Sequence, residues 1–122
     1  MRESIEILSD PELAGRVRAG RLAVAGAEIV SYEELGGPTP APEQWRVVLT
    51  APVAHELEQM DQPRATGVRE TLAALTRSPA EHGRALGMGL VGVWSVRGAS
   101  HRILYAIQQE QRLVTVLTVD DR

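Results

Sequence analysis

The chain has 122 residues, no cysteine and a formal net charge of −3; 43% of it is hydrophobic, although it holds no Phe and only two Trp and two Tyr. Such a chain fits one compact domain with an aliphatic core, or a domain with an appendage. It excludes disulfide and thiolate chemistry, carries no apolar run long enough to span a membrane, and opens on MRESIEILSDPE, which lacks the apolar block of a signal peptide, so a cytoplasmic protein is expected.

In chain order, Ser9-Asp10-Pro11-Glu12 forms a capping box. The helix it starts should run to about Ala25, where Gly26 stops it. Leu13, Val17 and Val24 give that helix a weak apolar stripe, and Gly15 and Gly20 inside it each cost roughly 1 kcal/mol against Ala. EIVSYEEL follows as a short extended piece and a second box, Ser31 to Glu34. This first segment cannot build its own core and needs a partner surface. GGPTPAPEQ, residues 36–44, holds three Pro and two Gly and reads as a semi-extended linker. Up to residue 44 the chain carries four Arg against eight acidic groups, and from 45 onward nine Arg against eight. Such an asymmetry can mean that one part covers the other.

The second part is more regular. WRVVLT is a strand rich in β-branched residues. Thr50 can cap a helix with Pro52 in its first turn, and Val53, Leu57 and Met60 fall on one face of it. DQP turns the chain, and Val68, Thr71, Leu72 and Leu75 follow helical spacing up to Arg77. SPAEHGRALGMG is expected to be loop. LVGVWSVR, HRILYAI and RLVTVLTV are strand-like, and their separators GAS and QQEQ have hairpin length. The order β-α-α-β-β-β predicts an α+β fold, two helices packed on one face of a mainly antiparallel sheet.

Alternation along the strands places the polar groups. Trp94 and Val96 share one face, Ser95 and Arg97 the other. Ile103, Tyr105 and Ile107 form the core face of the next strand, opposite Arg102 and Leu104. In the last strand Leu113, Leu117 and Val119 are expected inward, and Val114, Val116, Thr118 and Asp120 outward. Arg97, Arg102 and Arg122 would then gather on the open face of the sheet, their stems covering Leu104 and Val114. His101 has core parity at a strand end. His55 reads as a solvated helix residue and His82 as a loop residue. The three His are too dispersed for a metal site, the Gly-rich GMGLVG lacks the Lys of a phosphate loop, and no cofactor is implied.

Residues 45–122 resemble the RelE/ParE toxin superfamily, close to its RelE and YoeB branches. The likeness lies in the element order, in WRVVLTAPVAHELEQM, in the W-S-x-R of Trp94 to Arg97, in the H-R-[IL]-x-Y of His101 to Tyr105, and in the closing VTVLTVDDR. Residues 3–35 are similar to the C-terminal tail of Phd/YefM-type antitoxins through ILSDPELAGRVRAG and SYEEL. The resemblance implies a toxin body at 45–122 behind an antitoxin-like tail at 1–35, without the antitoxin's DNA-binding half. It implies ribosome-dependent, metal-independent mRNA cleavage, with ribosome and mRNA as partners. Arg102 stands at the family's phosphate-stabilising arginine and Arg122 at a second one. Arg97 would bind backbone phosphate, as would Arg84, which stands where the YoeB branch has a glutamate, with Glu81 nearby. His101 is the one ring base beside them. Val93 and Ser95 stand where the RelE branch keeps catalytic lysines, and the chain ends at Arg122, before the family's terminal Tyr or His and Tyr.

In this reading Leu13, Val17, Ile29, Tyr32, Glu33, Glu34 and Leu35 are the tail's contacts. The tail folds over the arginine patch or another surface, in cis or from a second chain in a swapped homodimer, and Glu33 and Glu34 pair with the arginines. The alternatives are a catalytically inactive protein-binding module of the same fold and a ParE-like gyrase inhibitor.

Overall fold

The structure is a computed structural model and describes residues 11–86, 92–98 and 101–121; the Ser9 cap, the Gly-rich stretch at 87–91 and Arg122 lie outside them. Four α-helices are described: α1 (Pro11–Ala25), α2 (Ala51–Gln59), α3 (Gln62–Arg77) and the single turn α4 (Pro79–His82). The strands are β1 (Ile29–Ser31), β2 (Arg46–Thr50), β3 (Arg84–Ala85), β4 (Trp94–Arg97), β5 (His101–Gln108) and β6 (Leu113–Asp121). A 3₁₀ turn covers Tyr32–Leu35. The strands join in one sheet of order β1-β2-β6-β5-β4-β3, antiparallel except for the β2–β6 pair. No described helix is long and apolar enough to cross a membrane.

Local chemistry sets the two larger helices of the body. The Thr50 side chain accepts the Val53 N–H at the start of α2, with Pro52 in the first turn. α2 buries Val53, Ala54 and Leu57, and α3 buries Ala65, Val68, Leu72 and Leu75, one stripe at helical spacing. Both stripes pack on Val47, Leu49, Val96, Ile103, Tyr105, Val114, Val116 and Val119 of the sheet. SPAEHGRALGMG is not all loop. Pro79–His82 forms a helical turn, and Arg84 and Ala85 pair with Ser95 and Trp94 as an edge strand.

The expected parity of the last strand is corrected by a bulge. Tyr105 pairs with Val116 but Leu104 with Thr118, so Leu117 is an extra residue in β6. The phase flips there. Val114 and Val116 face α2 and α3 rather than solvent, Leu117 points to the opposite face, and Leu113 is only partly buried.

That opposite face is not open. α1 lies across it, and Val17 joins Leu86, Val93, Leu104 and Leu117 in a second apolar cluster, flanked by Val24 and Ala106. The apolar run ILYAI and the β-branched LVTVLTV, polar only at Thr115 and Thr118, carry the signal for burial on both faces. Gly20 lets α1 come close: a Cβ there would stand 2.6 Å from the Leu117 carbonyl oxygen. The rest of the N-terminal segment is also built in. β1 adds antiparallel to β2, with Ile29 opposite Thr50. The Ser31 hydroxyl accepts the Glu33 N–H at 3.4 Å, Tyr32 is buried in the main core with Leu35 packed against it, and Arg69 lies over the Tyr32 ring. Gly36 takes a φ of 89°, the left-handed conformation that ends the turn. Residues 37–44 then run without helix or strand.

Candidate functional site

Strand register puts Arg97 opposite Arg102 and Arg102 opposite Asp120, so the three share the α1 side of the sheet. Arg102 is only 9% exposed, and its Nη2 donates to Asp120 Oδ2 at 3.1 Å. Asp120 also lies 3.6 Å from Arg16 Nη1 of α1. Arg16 reaches further, donating to the Val119 carbonyl at 2.6 Å and to the Glu56 carboxylate of α2 at 3.0 Å. Among the described residues, the acidic partner of Arg102 comes from the body, and the N-terminal helix contributes a cation that lies against that partner. Glu33 instead lies 3.9 Å from Arg46 on β2, and Glu34 is exposed. Of the other expected tail contacts, Ile29 is 40% exposed at the sheet edge, and the Leu13 side chain lies outside the described ones. Arg97 remains exposed at the end of β4.

His101 neighbours Arg102 in sequence but points to the other face, since side chains alternate along a strand. It is 1% exposed, lies against Gly67 and Gly98, and meets Thr71 Oγ1 at 2.9 Å through Nε2. The Thr71 hydroxyl donates to the Gly67 carbonyl at 3.1 Å. Its oxygen therefore accepts from His101, and the ring is the Nε2–H tautomer. Nδ1 is buried, with no hydrogen-bond partner among the described residues. Burial, then the Arg64 charge, holds the ring below the ordinary imidazole pKa. His101 and Arg102 do not converge on one point.

What the structure does bring together is Arg84, Arg97 and His82. A cleft of about 450 Å³ is lined by Glu81, His82, Gly83, Arg84, Ser95, Val96 and Arg97. A second of about 380 Å³ shares His82, Val96 and Arg97 and extends past Thr71 and Glu70 on α3. The α4 turn that carries Glu81 and His82 is anchored from below, because the buried Tyr105 hydroxyl donates to the Pro79 carbonyl at 2.6 Å. Burial also pushes the Tyr105 phenol well above its usual pKa. Tyr105→Phe should therefore cost about 1–3 kcal/mol in urea unfolding, the penalty for a buried carbonyl losing its donor. Hydrogen exchange should localise the loosening to α4 and β3. Sequence reading missed His82, because a residue placed in a loop has no predictable neighbours.

No family model and no curated protein matches the sequence. Among solved structures, the toxin-antitoxin complex RelBE2 from Mycobacterium tuberculosis contains a chain of 32% identity, matched with a TM-score of 0.58 over 99% of its length and 65% of the present chain. The chain belongs to the RelE toxin family. Two further RelE structures share the fold at 17% identity and a TM-score of 0.53: the RelE-RelB complex from Pyrococcus horikoshii, 94% covered, and the isolated E. coli RelE toxin, 81% covered. About a third of this RelE-like chain lies outside each match. Among the described residues no group of three or more His, Asp or Glu is placed to hold a metal.

Proposed function

We propose that this RelE-family chain is a ribosome-dependent mRNA endoribonuclease held inactive by its own antitoxin-like N-terminal segment. The observation that carries the reading is the seat of α1: it lies on the sheet face that bears Arg102, and through Arg16 it holds the Asp120 carboxylate against that guanidinium. Metal-independent cleavage moves the 2′-OH proton to a base, forms the bond from O2′ to phosphorus and breaks the bond from phosphorus to O5′, which takes up a proton from an acid. It leaves a cyclic phosphate and a 5′-OH, and the phosphorane between them requires positive charge. Arg102 supplies that charge once the Asp120 pairing is relaxed, and Arg97 beside it holds a neighbouring phosphate.

Deleting residues 1–40 is expected to produce cleavage of ribosome-bound mRNA and growth arrest on expression, while the full chain does neither. A deleted chain that is folded and inert on ribosomes ends the ribonuclease reading. The buried His101 and the Arg102–Asp120 pair favour the second reading, a non-catalytic protein-binding module. Capture of a protein partner without ribosomes would support it, and inhibition of supercoiling would point to gyrase instead.

A further inference from the structure

The N-terminal segment joins the body in two different ways. From residue 28 onward it is woven into the fold. The Ala51 N–H donates to the Glu28 carbonyl at 2.8 Å, β1 pairs with β2, and Tyr32 is buried in the main core. Arg69 fastens this part from α3, donating from Nη2 to the Leu35 carbonyl at 3.1 Å and lying over the Tyr32 ring. Before residue 26 the seam is thin. Among the described residues of α1, Val17 and Ala23 are the buried apolar side chains, while Leu22 is 73% exposed. Arg16 adds contacts to Glu56 and Asp120 at the rim.

The two parts meet at one joint. The Ala27 N–H donates to the Val24 carbonyl at 3.0 Å and the Glu28 N–H to the Ala23 carbonyl at 2.8 Å. This pair of bonds is the Schellman helix end, whose left-handed C′ residue is usually Gly. Here that residue is Ala27, at a φ of 59°. Gly26 stands one position too early, and a Cβ there would meet nothing nearer than 3.6 Å. A left-handed Ala is strained because its Cβ crowds the following carbonyl oxygen. Such strain persists only while the surrounding structure imposes it. Once α1 lifts from the sheet, Ala27 can return to a right-handed or extended conformation.

We propose that α1 is a hinged lid that lifts about residues 26–28 while β1 and Tyr32 stay in place, and that left-handed strain at Ala27 biases the lid toward opening. The lid covers the face that bears Arg102, so the hinge deepens the proposed function and rests on that reading for what opening exposes. It makes the covering of that face reversible without release of the segment. The lifted helix remains tethered beside its seat, at an effective concentration that favours redocking.

The test is residue-resolved hydrogen exchange on the full chain. A lifted α1 is marginal as an isolated helix, so its amides exchange when it opens. They should share one protection factor, at least about tenfold lower than that of the Ala51 amide, which reports the Glu28 anchor. Glycine at a hinge is ordinarily expected to loosen it. Here Ala27→Gly relieves the strain and should slow exchange throughout α1 about 3- to 10-fold, after allowance for the freedom of glycine in the lifted state. Ala27→Val, β-branched at a positive φ, should accelerate it. Ala27 is exposed, so neither change alters the core. A common protection factor for α1 and Ala51 would mean that the segment leaves as one piece, and it overturns the hinge. Unchanged or faster α1 exchange in Ala27→Gly overturns it too, as does an effect confined to residues 26–28, which would make Ala27 a helix end only. Cleavage by the tail-deleted chain together with one protection factor for α1 and Ala51 would sink the hinge and leave the ribonuclease reading standing. A folded, inert tail-deleted chain together with the expected exchange pattern would sink the ribonuclease reading alone.

Discussion

Gly20→Ala in the full chain is expected to lift the N-terminal helix from the sheet, while Gly15→Ala, five residues earlier in the same helix, is expected to seat it more firmly. Helix propensity alone predicts a gain of about 1 kcal/mol from either change. The two sites differ in what a methyl group would meet. At Gly15 the nearest atom is the end of the Arg18 side chain at 3.9 Å, an ordinary contact. At Gly20 the methyl would stand 2.6 Å from the Leu117 carbonyl oxygen and 3.2 Å from the carbonyl carbon and Cα. Those are backbone atoms of β6, a central strand hydrogen-bonded to β2 and β5, so the helix must give way. Overpacking of this kind costs about 1–3 kcal/mol, and against a rigid strand the upper part of that range applies. The net loss of about 1–2 kcal/mol raises the undocked population roughly 5- to 30-fold. Hydrogen exchange in α1 should accelerate by that factor in Gly20→Ala and slow in Gly15→Ala. On the proposed function, ribosome-dependent cleavage rises in Gly20→Ala only. Equal exchange in both variants would show that α1 does not depend on this close approach.

Acid should destabilise the protein earlier than its carboxylates alone would require, because of His101. In the folded chain the neutral ring donates from Nε2 to Thr71 and keeps an unprotonated Nδ1 in a buried site near Arg64. Protonation would place a second N–H there with no acceptor among the described residues, beside a like charge. The folded pKa therefore lies below the unfolded value of about 6.5. The unfolded chain binds the proton first, so the stabilising contribution is complete above about pH 6.5 and is lost as pH falls from there toward the folded pKa. The slope for one such group is at most about 1.4 kcal/mol per pH unit. Urea midpoints measured from pH 7.5 down to pH 5 should fall along that slope. His101→Asn should lower stability at pH 7.5 and flatten the dependence. An unaltered slope in His101→Asn would remove His101 as its source.

Much of the fold was legible because its signals are local. Thr50 and Pro52 mark the start of α2 at the residues where it begins, and the spacing of Val68, Leu72 and Leu75 marks the buried side of α3. The strands Trp94–Arg97 and His101–Gln108 follow from β-branched composition and alternation. Alternation failed in β6, because one bulged residue at Leu117 reverses every later side chain without altering composition. The site was legible one residue at a time. Arg97 and Arg102 were placed on one face by parity, and they are direct neighbours across the β4–β5 pair. Their surroundings were not legible, because the groups that decide them are distant in sequence: Asp120 and Arg16 for Arg102, Thr71 and Arg64 for His101.

By itself the sequence determined the element order, the capped helices, the poverty of the first segment as an independent core, and the two arginines on the face opposite α2 and α3. Those properties depend on hydrogen bonds and side-chain periodicity within a few residues. Only the tertiary structure decided that this face is covered by α1, that a glycine of that helix lies against the β6 backbone, and that His82, Arg84 and Arg97 line one cleft. Each of these depends on which backbone meets which across long sequence separations. That is set by the packing of two apolar faces on one sheet, and no window of neighbouring residues contains it.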